Sequence, residues 1–137
     1  MSINGVITAK LSTLDSVLVE LRSLGCVTCG QLRDNWQTRR AIERDLQVLV
    51  EVVVDVCQRM LSLLNEAPAS TSAEAVERCV QHGIIKRCDD YRRMVQFRNF
   101  VVHRYENVDV EILADIVNNR LGSFEQFRSE VLAHAKR

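Results

Sequence analysis

The feature that most constrains the fold is a long run without glycine or proline, from Trp36 to Asn65. Its middle, VLVEVVVDV, is rich in β-branched residues, which also favour strands. Apolar residues nevertheless recur through it at steps of three and four: Ile42, Leu46, Leu49, Val53, Cys57, Met60 and Leu64. This period predicts one helix, roughly 45 Å long at the standard rise per residue.

The long helix is apolar on more than one stripe, because a further set of side chains broadens its face: Val50, Val52, Val54, Val56 and Leu61. A helix of this kind needs neighbours on two sides. These can come from the same bundle, from a second copy or from another protein.

Helical periods also precede and follow this segment. The first stripe is Ile7, Leu11, Leu14, Val17, Leu18, Leu21 and Leu24, and GCVTCG ends it with two glycines. After the long helix, Pro68 is expected to stop it, and Ser72 to cap a short helix from about Ala73 to His82. Gly83 is expected to close that helix.

A fourth helix is predicted from Ile84 or Ile85, with a bend and cap at 107–109. A last amphipathic segment then runs from Val110 towards His134, interrupted near Gly122. Proline occurs once, glycine five times, and aromatics make up 5% of the residues. The sequence therefore predicts an all-α bundle of four to five helices, in one domain over residues 1–137.

The formal net charge is zero, so the chain as a whole neither attracts nor repels a polyanion such as a nucleic acid. Basic residues are locally in surplus between Arg78 and Tyr105, where only Asp89 and Asp90 oppose seven cations: Arg78, Lys86, Arg87, Arg92, Arg93, Arg98 and Arg104. A solvated helix face gives the same pattern. Arg92, Arg93 and Arg104 are the candidate contacts to an RNA backbone.

The five cysteines predict reduced thiols, since they are odd in number and three fall within helical patterns. Cys26 and Cys29 form a CxxC that no second pair completes, so we expect no metal and no cofactor. No apolar run approaches a membrane span, and no signal peptide is recognisable, so we expect a cytoplasmic protein without membrane contact.

The segment RNFVVHRY, residues 98–105, carries the chemistry. His103 can take up and return protons near neutral pH, and Arg98 offers a planar cation that fits phosphate oxygens. A base for the ribose 2′-hydroxyl and a cation for the phosphate suffice to cleave RNA without metal. Asn99 lies four residues before His103 and can orient its imidazole. A histidine and an arginine near a helix end are also ordinary bundle residues.

Spacing complicates this hypothesis. Arg98 and His103 are five residues apart, so their directions diverge by about 140° on a regular helix. Either the helix loosens before residue 107, or a second copy completes the site across a two-fold axis. Tyr105 is seven residues after Arg98, so on a regular helix the two residues lie on the same face.

The motif R-N-x3-H-x-Y resembles that of the HEPN superfamily, in its HepT toxin branch. RRAIERDLQVLVEVVVDVCQRML is similar to the long second helix of that family, and HGIIKRCDDYRRMVQFRNFVVHRYENVD to its motif helix. The resemblance runs from about Arg39 to the end of the chain. GCVTCG does not belong to the pattern.

The resemblance implies a homodimeric bundle whose motifs line one cleft, acting as a metal-independent endoribonuclease toxin on RNA. It implies that Arg98 and His103 are catalytic, that Asn99 supports them, and that Tyr105 accepts AMP from a cognate minimal nucleotidyltransferase (MNT) antitoxin. Two alternatives stay open. One is a non-catalytic nucleotide-binding or regulatory subunit of a nucleotidyltransferase complex, and the other is a dimerising bundle that uses the motif for packing.

Overall fold

A computed structural model describes the backbone of residues 5–104 and 109–136 and the side chains of residues 5–99 and 109–136. Seven α-helices lie within these ranges, with a π-helical turn, Ile116–Arg120, between the last two. They are α1 (Gly5–Arg22), α2 (Cys29–Asp34), α3 (Trp36–Leu63), α4 (Ser72–Gln81), α5 (Asp89–Arg104), α6 (Val110–Asp115) and α7 (Gly122–Ala135). The described backbone contains no strand, which confirms the all-α class. None of its helices could span a lipid bilayer.

The central element is α3, a single helix as predicted. It contacts all six other helices, most extensively α1, α4 and α5. The β-branched middle stays helical because the apolar stripes on several faces are all buried by these neighbours. Its buried residues are Ile42, Leu46, Leu49, Val50, Val52, Val53, Val54, Val56, Cys57, Met60 and Leu61.

The end of α3 corrects the role predicted for Pro68. The helix stops at Leu63, and Asn65 adopts a left-handed φ of 61°. The N–H of Glu66 then donates to the carbonyl of Leu61 at 3.0 Å, while that of Asn65 donates to Ser62. This is a Schellman ending, which an asparagine at that position permits. Pro68 lies beyond a helix that has already ended.

The starts of α4 and of the helix after it also differ from the prediction. Thr71, rather than Ser72, caps α4, because its hydroxyl accepts from the N–H of Glu74 at 3.0 Å. Gly83 closes that helix as predicted, with φ 73°. The following helix starts at Asp89, because Ile84 and Ile85 are buried within the connection and anchor it to the core.

The GCVTCG segment ends α1 but also begins a helix that the sequence interpretation missed. Gly25 has φ 67°, so the chain turns there. The Thr28 hydroxyl accepts from the N–H of Gln31, and the Gln31 amide accepts from the N–H of Thr28. This capping box starts α2. Cys26 is exposed and Cys29 half-buried, and both are free thiols.

The last amphipathic segment, predicted from Val110 towards His134, consists of two α-helices, α6 and α7, with the π-helical turn between them. Asp109 caps α6 as predicted, accepting from the N–H of Glu111 at 2.8 Å, whereas Asn107 lies outside the described residues. The interruption expected near Gly122 is the π-helical turn just before it. From this turn, the Asn118 amide bonds both the N–H and the carbonyl of Val27, at 2.9 and 2.8 Å. The turn thereby ties the C-terminal helices to the connection before α2.

An acidic contact lies between α1 and α3. Asp45 is half-buried, and this burial together with the nearby Glu20 carboxylate raises its pKa from 3.8 to about 6. Because the folded-state pKa is the higher one, the stability contribution of the Asp45 carboxyl is complete below about pH 4 and is lost as pH rises through 6.

We predict that Asp45→Asn stabilises the fold at pH 7.5 and has little effect at pH 4. The asparagine removes an ionisation that the folded state disfavours, and solvent screening keeps the gain to about 1 kcal/mol or less. Thermal melts at both pH values measure this. Glu20→Gln is the matched control and should give part of the gain. An effect of Asp45→Asn that is equal at both pH values would contradict the assignment.

Candidate functional site

The predicted motif lies on α5, which the sequence anchors along one face. Asp89 and Asp90 occupy its first turn, where carboxylates favourably oppose the helix dipole. Tyr91, Met94, Val95 and Phe97 are buried along the helix and form its part of the core. The motif begins directly after this anchored stretch, so α5 fixes the backbone that carries it.

Tyr91 is the strongest anchor of α5. It is 1% exposed, and its hydroxyl donates to Glu130 Oε1 on α7 at 2.8 Å. Its ring meets Phe127 edge-on, with centroids 5.9 Å apart. Burial, and then the Glu130 carboxylate, raise the pKa of Tyr91 well above its usual range, so the phenol remains a proton donor. Glu130 also accepts from the N–H of Lys86, and the start of α5 is thus joined to α7.

A second set of contacts joins the same end of α5 to the C-terminal helices. Asp90 accepts from the Ser123 hydroxyl and pairs with Arg120 at 3.4 Å. Arg120 also pairs with Asp115 at 3.3 Å. Nothing in the sequence spacing singled out Ser123, Arg120 or Glu130, because their partners on α5 lie some thirty to forty positions away along the chain.

A cavity of about 500 Å³ lies between α3, α5, α6 and α7. Its apolar wall includes Leu46, Val50, Met94 and Phe97, while Arg93 and the Asp90–Arg120–Asp115 set contribute its polar groups. Arg93 therefore lines this cavity. Arg92 is 67% exposed and pairs with Asp89 at 3.5 Å.

The basic surplus predicted around the motif is partly neutralised. Arg87 forms a two-point contact with Glu77, at 2.8 and 2.6 Å. Arg78 pairs with Glu66 at 3.4 Å and with Glu74 at 3.7 Å. These acids lie outside the stretch from which the surplus was counted, so the fold supplies charges that the sequence window left out.

Arg98 and Asn99 are placed differently from each other. The Arg98 side chain is half-buried, and its Nε atom is inaccessible to solvent and unpartnered within the described part of the chain. Asn99 is exposed and lines a groove of about 440 Å³ between α4 and α5. The two are consecutive, so they point about 100° apart.

The helix does not loosen between Arg98 and Arg104, since α5 is α-helical throughout that stretch. Positions 98 and 103 therefore lie about 140° apart around one helix. The side chains of His103 and Arg104, and the whole of Tyr105, lie outside the described residues. Of the two solutions considered for the spacing, a distorted helix is not observed up to residue 104.

Among the side chains that the structure describes, no group of three histidine, cysteine or acidic residues could hold a metal ion. Cys57 and Cys79 are buried free thiols, and the Cys79 thiol contacts the carbonyl of Cys57 at 3.4 Å.

Comparison with known families identifies the chain. The family model described as Ribonuclease HepT-like matches residues 14–131. The chain belongs to this family. The match includes all of α3, α4 and α5 of the HepT-like chain, and also the whole motif at residues 98–105.

Individual relatives agree with the family. The HepT-like chain is 21% identical over 126 residues to the mRNA nuclease HepT of Shewanella oneidensis, covering 90% of this chain and 94% of that protein. Its fold matches the tri-AMPylated Shewanella oneidensis HEPN toxin, solved in complex with the MNT antitoxin. That match has a TM-score of 0.85 at 21% identity, over 96% of this chain and 99% of the other.

A further solved structure, a toxin–antitoxin complex with AMP-PNP, gives a TM-score of 0.84 at 20% identity. It covers 95% of the HepT-like chain and 99% of the other chain. At these identities the structural matches establish the HEPN fold of the HepT-like chain.

We predict that Tyr91→Phe destabilises the HepT-like chain by about 1–2 kcal/mol, because it removes a buried hydrogen bond while keeping the ring. Denaturant unfolding measures the change. Gln126→Ala removes an exposed contact to the same Glu130 carboxylate and should change stability by less than about 0.5 kcal/mol. Equal stability of Tyr91→Phe and wild type would show that Tyr91 does not anchor α5 through its hydroxyl.

Proposed function

We propose that this HepT-like chain is a metal-independent endoribonuclease toxin. The observation that carries the proposal is the family match over residues 14–131, together with an intact R-x4-H-x-Y motif at residues 98–105. A relative of nearly the same length is named an mRNA nuclease, which supports RNA as the substrate class.

The proposed reaction uses the ribose 2′-hydroxyl as the nucleophile. The His103 imidazole takes the proton of that hydroxyl, and the 2′-oxygen forms a bond to the adjacent phosphorus. The bond from phosphorus to the 5′-oxygen breaks, and the protonated His103 imidazole returns its proton to that leaving oxygen. The Arg98 guanidinium balances the charge that builds on the phosphoryl oxygens. The products are a 2′,3′-cyclic phosphate and a 5′-hydroxyl.

The continuous α-helix at Arg98 and His103 supports a site shared between two copies. A single regular helix separates these positions by about 140°, which does not bring them together on one phosphate. In a two-fold dimer, each cleft can combine Arg98 of one copy with His103 of the other. We therefore propose the homodimer as the active form, with Asn99 supporting the pair and Arg92, Arg93 and Arg104 contacting the RNA backbone.

We propose that a cognate MNT antitoxin neutralises the toxin by transferring AMP to Tyr105. The tyrosine oxygen forms a bond to the α-phosphorus of ATP, pyrophosphate leaves, and the phenolic proton is released. The solved relative in complex with MNT antitoxin carries three AMP groups, which supports this chemistry for the family. Added phosphates near Arg98 would compete electrostatically with RNA.

The alternative is a non-catalytic nucleotide-binding or regulatory subunit of a nucleotidyltransferase complex. One observation favours it: Tyr91, one of few aromatics near the motif, is buried in the core and cannot stack on a base. Trp36 is exposed, at 63%, but lies at the start of α3. This form of the protein would bind the transferase and cleave nothing.

We predict that the wild-type chain cleaves RNA in excess chelator and leaves cyclic phosphate ends, whereas His103→Ala cleaves at least about a hundredfold more slowly. Gel analysis with end-group identification measures both. His82→Ala is the matched control, since His82 is exposed and pairs with Glu66 at 3.2 Å, and it should cleave normally. Absence of cleavage by unmodified wild type would favour the regulatory subunit.

We predict that Tyr105→Phe is no longer modified by the cognate transferase with ATP, and that it still cleaves RNA in the presence of that transferase. Intact mass after incubation counts the adenylates added. Tyr91→Phe is the control and should be modified like wild type, because Tyr91 is 1% exposed. Adenylates added equally to Tyr105→Phe would place the acceptor elsewhere.

A further inference from the structure

The groove of about 440 Å³ between α4 and α5 has two sides of different character. The α4 side and the floor are mainly apolar, with Ala73, Val76, Val80, Tyr91 and Val95. The α5 side is polar: Arg92, Gln96 and Asn99 follow one another at steps of four and three, so they share one face of the helix. Asn99 belongs to the motif and directly follows Arg98, so the groove opens at the motif.

The charged side chains that line the groove are paired with one another. Arg87 donates to the Glu77 carboxylate at 2.8 and 2.6 Å. Arg92 pairs with Asp89 at 3.5 Å. These two ion pairs leave the lining of the groove without net charge. The groove therefore offers a place to a neutral group rather than to an isolated phosphate.

Two amide side chains on the α5 side are available to such a group. Gln96 and Asn99 are exposed, and neither forms a hydrogen bond within the described residues. Each amide presents an acceptor oxygen beside a donor nitrogen. The two residues are three positions apart, which separates them by about 4.5 Å along the helix. A ligand that fits therefore has donors and acceptors at its edge and a flat apolar face for the floor.

A nucleobase that is not base-paired has both properties. Proteins that bind unpaired bases cover the flat faces with aromatic or apolar side chains and form hydrogen bonds to the exposed edges. Adenine is the base that glutamine and asparagine amides typically bind with two hydrogen bonds, because a donor and an acceptor lie side by side on its edge. The apolar floor and the amides of this groove therefore match an unpaired adenine.

A helix from a partner protein fits the groove less well. Such a helix docks by laying its apolar face into a groove that is itself hydrophobic. Here Arg92, Gln96 and Asn99 make one side polar along about 10 Å of α5. An apolar helix face would bury the two amides without hydrogen bonds, which costs stability. The amides thus favour the nucleobase as the occupant.

We propose that the α4–α5 groove is a base-recognition subsite that takes one unpaired adenine of the RNA substrate, with the Gln96 amide binding the edge of the base. The inference rests on the proposed ribonuclease function and adds a sequence preference to it. Asn99 bounds the subsite on the side of the motif. Arg92 is 67% exposed, and an exposed ion pair contributes little stability, so Arg92 can leave Asp89 and contact a phosphate of the same strand.

The experiment measures the binding of short single-stranded oligonucleotides of adenine or of uracil to the full chain by fluorescence anisotropy. Fluorine replaces the 2′-hydroxyls of these probes, so they lack the nucleophile and bind without being cleaved. Gln96→Leu removes the amide and keeps a side chain of similar size. Gln126→Leu is the matched control, since Gln126 is exposed on α7 and does not line the groove. Ala73→Trp fills the groove from an exposed position on α4 and tests the location independently.

We expect the wild type to bind the adenine probe at least about fivefold more tightly than the uracil probe. Gln96→Leu should lose this preference, and Ala73→Trp should weaken binding of the adenine probe at least about fivefold, whereas Gln126→Leu should bind like wild type. An adenine preference that is absent from wild type, or that persists in Gln96→Leu, would overturn the inference. Unchanged RNA binding by Ala73→Trp, with loss of binding to the cognate transferase, would also overturn it and identify a protein contact.

Failure of the proposed function is a separate result. A wild type without bound AMP that cleaves no RNA would contradict the ribonuclease proposal. The binding comparison between wild type and Gln96→Leu decides on the adenine subsite in that case too, because the probes are not cleaved.

Discussion

The burial of α3 on several faces is the constraint on which the rest of the structure depends. A helix with apolar stripes on more than one side cannot lie at a surface, so every other element is arranged to cover it. α1, α4 and α5 make the most extensive of these contacts. Because α5 is one of the covering helices, its position and direction follow from the core of α3. The motif helix thus has its place fixed by packing before any polar contact is made.

Much of the architecture could be predicted from the sequence, since periodicity records which faces are buried. The long segment from Trp36 to Asn65 is predicted to be one helix despite its β-branched centre, because a turn residue is absent from it, and the structure confirms one helix over Trp36–Leu63. The boundaries were less predictable because local hydrogen bonds decide them. Asn65 ended α3 before Pro68 was reached, Thr71 replaced Ser72 as a cap, and Ile84 and Ile85 were drawn into the core instead of starting a helix.

The candidate site could also be predicted only in part. Arg98, Asn99, His103 and Tyr105 could be named because they are close together in sequence and form a recognisable motif. The contacts that hold the start of the motif helix could not be predicted, because Glu130 and Arg120 come from segments distant along the chain. The basic surplus changes for the same reason: Glu66, Glu74 and Glu77 reach into it from α4 and the connection before it. Only the folded chain shows which charges remain uncompensated.

The π-helical turn between α6 and α7 has a consequence for how this chain can vary. Each i→i+5 step accommodates one more residue than a regular helix would over the same path. Deleting one residue from 116–120 would restore regular winding over the same path, because the π-turn holds one residue more than a regular helix there. Phe127 and Glu130 would then keep the positions in which they meet Tyr91 of α5. The turn therefore absorbs one extra residue without changing the phase of the last helix, whereas a deletion inside α7 would rotate the part that follows it by about 100°.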